Sequence, residues 1–508
     1  MNGATKEFIL PGDPAEIETN SKIYEYLMGE ERCVIVRIRS EKAFISILLK
    51  CGMVLYVFFM GCKDKSIDSY DRQTVPTIKD EHNLTVSDET VAIEEATDSV
   101  ETCISRAVLY YSKGKYDQAI SDYTKAIGIK PGDATIFYNR GNAYNAKGQF
   151  DEAISDYIKA IEINPLYIEA YYNKAIACKA KGQYDQSISD LTKALEISPR
   201  LTEAYYNRGV LYFAKEQFDK AITDFDKALE ICPQYTMAYN DRGNAYKAIG
   251  QYDQAISDYA KAIKENPKLA ETYYNRAIVC YKRDQHKLAV SDFTKALEIN
   301  PHYAEAYCNR GAAYITKGQY DEAISDCTKA IEINPDYAEA YCNRGAVYIA
   351  KKLYDEAILD CTKAIEINPK YAQACYNRAI SYYKKGQYDK AVLDYTKAIE
   401  LNPTDAQAYN SRGLVYGTKG EYDLAISDYT KVIELSPMSA KAYNKRALAY
   451  YLTGKYDEAW EDVHKAQNLG LQVSPGFLRN LSEASPPTMF DNITEFEDDK
   501  NQLVKYRE

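Results

Sequence analysis

The chain holds 508 residues, 46% of them hydrophobic and 27% charged, with a formal net charge of −11. That is globular composition with length for about three average domains, and the acidity argues against a general nucleic-acid binder, which needs a basic surface to neutralise phosphates. Its 49 tyrosines, against the single Trp460, point to one local environment copied many times. His82, His286, His302 and His464 are scattered and the twelve cysteines include no CxxC pair, so neither residue type offers a metal-ligand spacing.

Residues 1–62 read as a leader. Within them, 43–61 (AFISILLKCGMVLYVFFMG) carries 15 apolar residues of 19, interrupted by Lys50 and preceded by Arg37, Arg39 and Lys42. A basic region, an apolar run and a small residue before a cysteine follow the order of a secretory signal. Phe59-Met60-Gly61-Cys62 resembles a bacterial lipoprotein cleavage box with Cys62 as the lipidated residue, although Phe59 and Met60 are bulkier than that box prefers. The 35-odd residues ahead of the signal exceed its ordinary length, so this reading expects translation to start downstream of Met1. An uncleaved single span is the second reading, since roughly 20 apolar residues cross a bilayer; a buried soluble helix is the third. Both membrane readings place the protein at a membrane with the rest of the chain outside the cytoplasm, in a periplasm or cell envelope. Residues 63–99 carry a net charge of −6 and too little apolar content for a core, and read as an acidic flexible tether.

From Val100 to Val473 the chain repeats. Pro131, Pro165, Pro199, Pro233, Pro267, Pro301, Pro335, Pro369, Pro403 and Pro437 recur at one fixed interval of thirty-four positions, without a slip. With that proline at position 32 of each unit, eleven equal units fill 100–473, and unit seven is Ala304–Tyr337. Tyr307, Gly311 and Tyr314, at positions 4, 8 and 11, mark one face of a first helix. Glycine at position 15 in eight of the eleven units ends that helix in a left-handed turn; Glu216, Asp284 and Lys352 occupy the other three, which puts the turn there in doubt. Asp at position 18, in ten units, suits the start of a second helix. Ala323, Cys327 and Ala330 line one face of that helix, and the proline stops it. Small residues at 8, 20 and 27 allow close helix contact. Unit three departs with Ser187 at 20 and Leu191 at 24, and unit six has His286 where others have Tyr or Phe, which reads as a softer joint.

These positions resemble the tetratricopeptide repeat family: small or Gly at 8, Tyr at 11, Ala at 20 and 27, Pro at 32. The resemblance implies an all-α, right-handed superhelical solenoid of eleven helix-turn-helix units, first helices lining a concave groove. It implies a bacterial repeat lipoprotein or membrane-anchored repeat protein if the leader is read as above. One unit cannot bury its own apolar face, so stability comes from stacking neighbours. After the last unit, residues 474–508 read as a capping helix over about Pro475 to Ala484 and an acidic tail.

Charge and tyrosine divide oppositely. The flanks 1–62, 63–99 and 474–508 carry −1, −6 and −3, leaving the array at −1, whereas 44 of the 49 tyrosines lie in the array. Most of these occupy positions 4, 11, 17 and 24, which are packing sites. Cys308, Cys327, Cys342, Cys361 and Cys375 stand where neighbouring units have Tyr and read as small buried apolar residues. The array's nine cysteines show no disulfide framework, which favours a reducing compartment, either cytoplasm or an anaerobic envelope.

In the family, first-helix positions 2, 5, 6, 9, 12 and 13 tend to face the groove, and some long arrays grip extended peptide with an asparagine ladder. Here position 6 is Asn139, Asn173, Asn207, Asn275, Asn309, Asn343 and Asn377, with Asp241 in unit five. An amide offers a donor and an acceptor to a peptide backbone; equally, it can bond the neighbouring helix. Position 5 adds Tyr138, Tyr172, Tyr206, Tyr274 and Tyr376 as contact candidates. Position 2 adds Glu169, Glu203, Glu271, Glu305 and Glu339, an acidic edge suited to neutral-to-basic peptide or to plain solvation. The family's carboxylate clamp needs Lys at 5 with Asn at 9; Asn142 and Asn244 sit at 9 beside Tyr138 and Asn240, so the clamp is unsupported. Position 7 is Arg or Lys, position 23 Asp and position 26 Lys in all eleven units. Asp at 23 either pairs with Lys three residues on or meets Arg at 7 across helices in a charge ladder between units.

No phosphate loop, GxSxG, HExxH or paired His/Cys site stands outside the repeat. The expectation is a non-enzymatic scaffold without cofactor or metal that binds protein or peptide segments in its groove, near a membrane. An accessory subunit of an enzyme or assembly complex and a saccharide-binding solenoid are the alternatives; an RNA-binding array would need a basic groove.

Overall fold

The computed structural model describes residues 99–485 together with Phe8–Ile9 and Val36–Arg37. The chain divides into 1–86 and 87–508. In the first part, the described residues are two short strands paired in parallel, Phe8 opposite Val36 and Ile9 opposite Arg37. The apolar run 43–61, Cys62, nearly all of the 63–99 tether and the tail from 486 lie outside the described residues. No helix among the described residues is long and apolar enough to cross a membrane.

The second part is a solenoid of eleven helix pairs, from Val100–Ser112 with Tyr116–Ile129 to Ala440–Leu452 with Tyr456–Asn468, closed by the helix Pro475–Ala484. Each helix packs on the next in sequence, and successive first helices also touch one another, more than successive second helices do. That difference curves the stack and puts the first helices on the inner side.

The turns explain the period. In unit two Gly148, at φ +75°, closes the first helix, and Gln149 N donates to Tyr144 O at 2.9 Å. Glu216, Asp284 and Lys352 adopt φ of 58°, 56° and 62°, so the doubtful units keep the same turn and accept the strain of a side chain there. The second helix of unit seven ends at Asn334, extended at φ −129° as a residue before proline must be, and Asn334 Oδ1 accepts from Asp336 N at 3.1 Å.

Between the helices of one unit, position 8 faces position 24. A Cβ on Gly141, Gly209 or Gly243 would stand within 2.8 Å of the Tyr157, Phe225 or Tyr259 ring, which is why the backbone is bare there. Unit three absorbs its two departures: Leu191 is buried, and the buried Ser187 hydroxyl donates to Ala175 O at 2.7 Å. In unit six His286 packs edge-on to Tyr281 at 5.3 Å, in the slot Tyr388 fills against Tyr383. The final helix is held by the fully buried Leu481 and by Phe477 against Tyr451 at 5.7 Å.

The constant charges form a clamp inside each unit. Arg310 Nε and Nη2 donate to the two Asp326 oxygens at 2.7 and 2.8 Å, and the same fork recurs from Arg106–Asp122 to Arg446–Asp462. In unit three Lys174 reaches Asp190 at 3.0 Å with one bond, and Gln186 supplies further donors to that carboxylate. Asp at 23 thus meets Arg at 7 across helices, but within a unit rather than between units. Lys at 26 reaches Asp at 23 only in units one and five, Lys125–Asp122 and Lys261–Asp258. There position 29 is Gly128 or Lys264; where it is Glu, as in Lys329–Glu332 at 2.9 Å, the lysine turns outward to it.

A substitution at the strained turn follows from this. Lys352→Gly relieves the left-handed strain at the cost of a freer unfolded chain, a net gain of about 0.5–1 kcal/mol. Amide exchange in unit eight is expected to slow about three-fold; unchanged or faster exchange would show the turn to be unstrained.

Candidate functional site

The inner face is built from the first helices, and its polar residues are largely engaged with one another. Except in units two and six, position 6 of a unit meets position 5 of the unit before it. Asn207 Nδ2 donates to Tyr172 Oη at 2.9 Å and to Glu203 O at 2.9 Å. Asn309 Nδ2 does the same with Tyr274 Oη at 3.1 Å and Glu305 O at 2.9 Å. Asn173 Nδ2 donates to Tyr138 Oη at 3.0 Å and Asn142 Oδ1 at 2.9 Å. Both donors of these three amides are therefore spent inside the solenoid, and Asn207 Oδ1 also accepts from Lys179 Nζ at 3.4 Å, so the Oδ1 acceptors of Asn173 and Asn309 are what the ladder has left for a ligand. Asn343 and Asn377 donate to the Cys308 and Cys342 sulfurs at 3.3 and 3.4 Å, so cysteine at position 5 keeps the rung.

Two of the asparagines differ. Asn139 is half-buried, and the preceding position 5 is Ile104, which has no polar group to offer it. Asn275 is buried and accepts from Lys247 Nζ at 3.1 Å. Asn444, at position 5 of unit eleven, has no following unit to complete its rung, and its buried Oδ1 has no partner.

The position-5 tyrosines are packed as well. Tyr138 and Tyr274 pack at a tilt on Tyr167 and Tyr303 at 4.9 and 4.8 Å, and Tyr206 meets Tyr235 edge-on at 5.0 Å. Tyr206 Oη donates to Asp241 Oδ2 at 2.7 Å. Burial pushes the Asp241 carboxyl above the usual carboxylate range, with Tyr206 and Asn240 hydrogen bonds opposing it. Burial also lowers the Lys179 and Lys247 ammonium groups, whose stems lie along the same inner face. Asp241 stands out in sequence as the exception in the asparagine column, whereas Lys179, whose charge acts on it, sits at position 12, a column too varied to mark it. Exposed on the inner edge are Glu169, Glu203, Glu271, Glu305 and Glu339.

The cysteines offer little chemistry. All nine array cysteines are free, and all but the half-buried Cys232 are buried. Burial pushes the Cys327 and Cys342 thiols up to about 12 and Cys280 to about 11, which leaves them protonated and unreactive. Among the described residues no group of three or more His, Cys, Asp or Glu is placed to hold a metal ion.

A clamp, a left-handed turn and a bare position 8 recurring from unit to unit define a helical-repeat solenoid, and comparison with known families identifies which. Tetratricopeptide repeat models match 134–167, 202–235, 237–269, 270–303, 304–337 and 338–371. Further models of the same repeat match 108–148, 157–189, 177–215, 361–392, 380–420 and 418–454. The chain belongs to the tetratricopeptide repeat family, whose solenoids serve as protein-interaction scaffolds. No curated protein sequence matches it. Among solved structures, YrrB, described as a TPR protein with an unusual peptide-binding site, is 30% identical over 36% of this chain and 95% of its own, with a TM-score of 0.33. MamA is 32% identical over 31% and 93%, with a TM-score of 0.30. Yeast Tom70 is 18% identical over 82% and 97%, with a TM-score of 0.36.

Proposed function

We propose that the protein is a non-enzymatic scaffold whose inner face holds extended, neutral-to-basic segments of a protein partner. The observation that carries this reading is the repeated pairing, on one helix face, of an exposed Glu at position 2 with an Asn at position 6, as in Glu203/Asn207 and Glu305/Asn309. The amide donors are occupied, so a bound backbone gives its N–H groups to the Asn Oδ1 acceptors while its basic side chains meet the glutamates. Each bond of this kind contributes roughly 0.5–1.5 kcal/mol. The tyrosines at position 5 shape the floor of the site rather than gripping the ligand.

The test is binding of immobilised extended peptides to the full chain. Asn173, Asn207 and Asn309 changed together to Ala should weaken a basic peptide about ten-fold or more, with the helical circular dichroism retained. Unaltered binding would remove the asparagines from the contact surface.

We further propose that the leader holds the array at a membrane on its extracytoplasmic side, with Cys62 lipidated after cleavage of the 43–61 signal. The support is the order of basic residues, apolar run, Gly61 and Cys62 in the sequence. Cys62→Ser should abolish incorporation of labelled fatty acid and release the protein from the membrane fraction. Labelling that persists in this variant rejects the lipoprotein reading, and membrane retention without labelling favours an uncleaved span.

A further inference from the structure

The inner face changes character in the last two units. The first helix of unit eleven, Ala440–Leu452, carries Lys441, Lys445, Leu448 and Leu452 at offsets of four, three and four residues, which is one stripe of a helix. Leu448 and Leu452 are 46% and 47% exposed, and Leu414, the counterpart of Leu448 in unit ten, is 40% exposed. In units two to nine that position holds no exposed large apolar residue. The charge reverses too: Lys441 and Lys445 take positions that are Glu and Asn in units three, four, six, seven and eight. Lys445 Nζ donates to Asn410 Oδ1 at 2.7 Å and stands 5.9 Å from the Tyr429 ring centre, and neither lysine has a carboxylate partner among the described residues. Two cations beside three exposed leucines want an acidic, apolar occupant.

Such a segment leaves the fold at this spot. The closing helix packs on unit eleven, and Trp460 Nε1 donates to Ser485 O at 2.9 Å, so the last described residue lies against that unit. From 486 to 499 the sequence carries Asp491, Glu495, Glu497, Asp498 and Asp499 with no basic residue, interleaved with Met489, Phe490, Ile493 and Phe496. Fourteen residues reach about 45 Å when extended, against a helix pair about 20–25 Å across. Tethering raises the effective concentration to roughly millimolar, enough for a weak contact to form.

We propose that residues 486–499 fold back onto the inner face of units ten and eleven, setting their carboxylates on Lys441 and Lys445 and their aromatic side chains on Leu414, Leu448 and Leu452.

Carbodiimide crosslinking of the full chain tests this, on a dilute mixture of unlabelled and ¹⁵N-labelled protein. Peptide mass spectrometry should find Lys441 or Lys445 joined to Glu495, Glu497, Asp498 or Asp499 within single chains. Leu448→Asp with Leu452→Asp should lose those crosslinks while helical circular dichroism is kept. Phe490→Ser with Phe496→Ser, which alters only the segment after the last helix, should lose them equally. Tail carboxylates joined only to other lysines, mixed-isotope pairs as the main product, or an unchanged yield in the phenylalanine variant would each overturn the proposal.

Discussion

Everything in the solenoid turns on the ion pair between position 7 and position 23. It joins the two helices of a unit, is mostly hidden from water, and is paid for by complete hydrogen bonding. A buried charge pair is tolerated only when every donor and lone pair finds a partner. In unit seven the Arg310 fork takes both Asp326 oxygens, and its Nη1 donates to Thr294 of the unit before at 2.9 Å. That third bond makes an intra-unit clamp also a joint between units. It recurs with Thr124, Thr192, Thr328, Thr362, Thr396 and Thr430, and with Asp226 in place of threonine.

The clamp also accounts for much of the tyrosine surplus. Arg310 lies between Tyr307 and Tyr314, one turn away on either side of its own helix, with its guanidinium carbon 5.6 and 5.9 Å from the ring centres. Arg242, Arg344, Arg412 and Arg446 are flanked in the same way. Stacked rings shield the cation from water and gain cation–π attraction. The outermost charge pairs are of another kind. Asp117, Asp253 and Asp321 meet Lys147, Arg283 and Lys351 across units while the carboxylates stay 83%, 77% and 84% exposed, so they add little stability.

The period, the two helices, the position-15 turn and the closing helix were legible because each rests on local chemistry repeated eleven times. The direction of the clamp was not. Spacing along one helix made Lys at 26 an equal candidate for Asp at 23, and only the meeting of two helices decides between them. The third guanidinium bond had a signal that went unused: threonine at position 25 in seven units. The inner face was half legible. The Asn and Tyr columns mark it, but a rung linking position 6 to position 5 of the unit before spans 35 residues, and no helical period displays it. The same column therefore serves the fold first, and the proposed binding role has only the acceptors left over. The charge reversal at Lys441 and Lys445 was hidden by counting the array as a whole.

A double-mutant cycle at Arg344 and Asp360 bears most directly on the clamp, comparing Arg344→Met, Asp360→Leu and the pair by amide exchange in units seven to nine. Each single change leaves a largely buried charge alone and should cost about 3 kcal/mol or more, whereas the double apolar replacement should cost much less than their sum. A coupling of about 2 kcal/mol is the expected result. Additive losses, with a coupling of less than about 0.5 kcal/mol, would show that the solenoid is held by its apolar contacts and that the recurring ion pair is incidental.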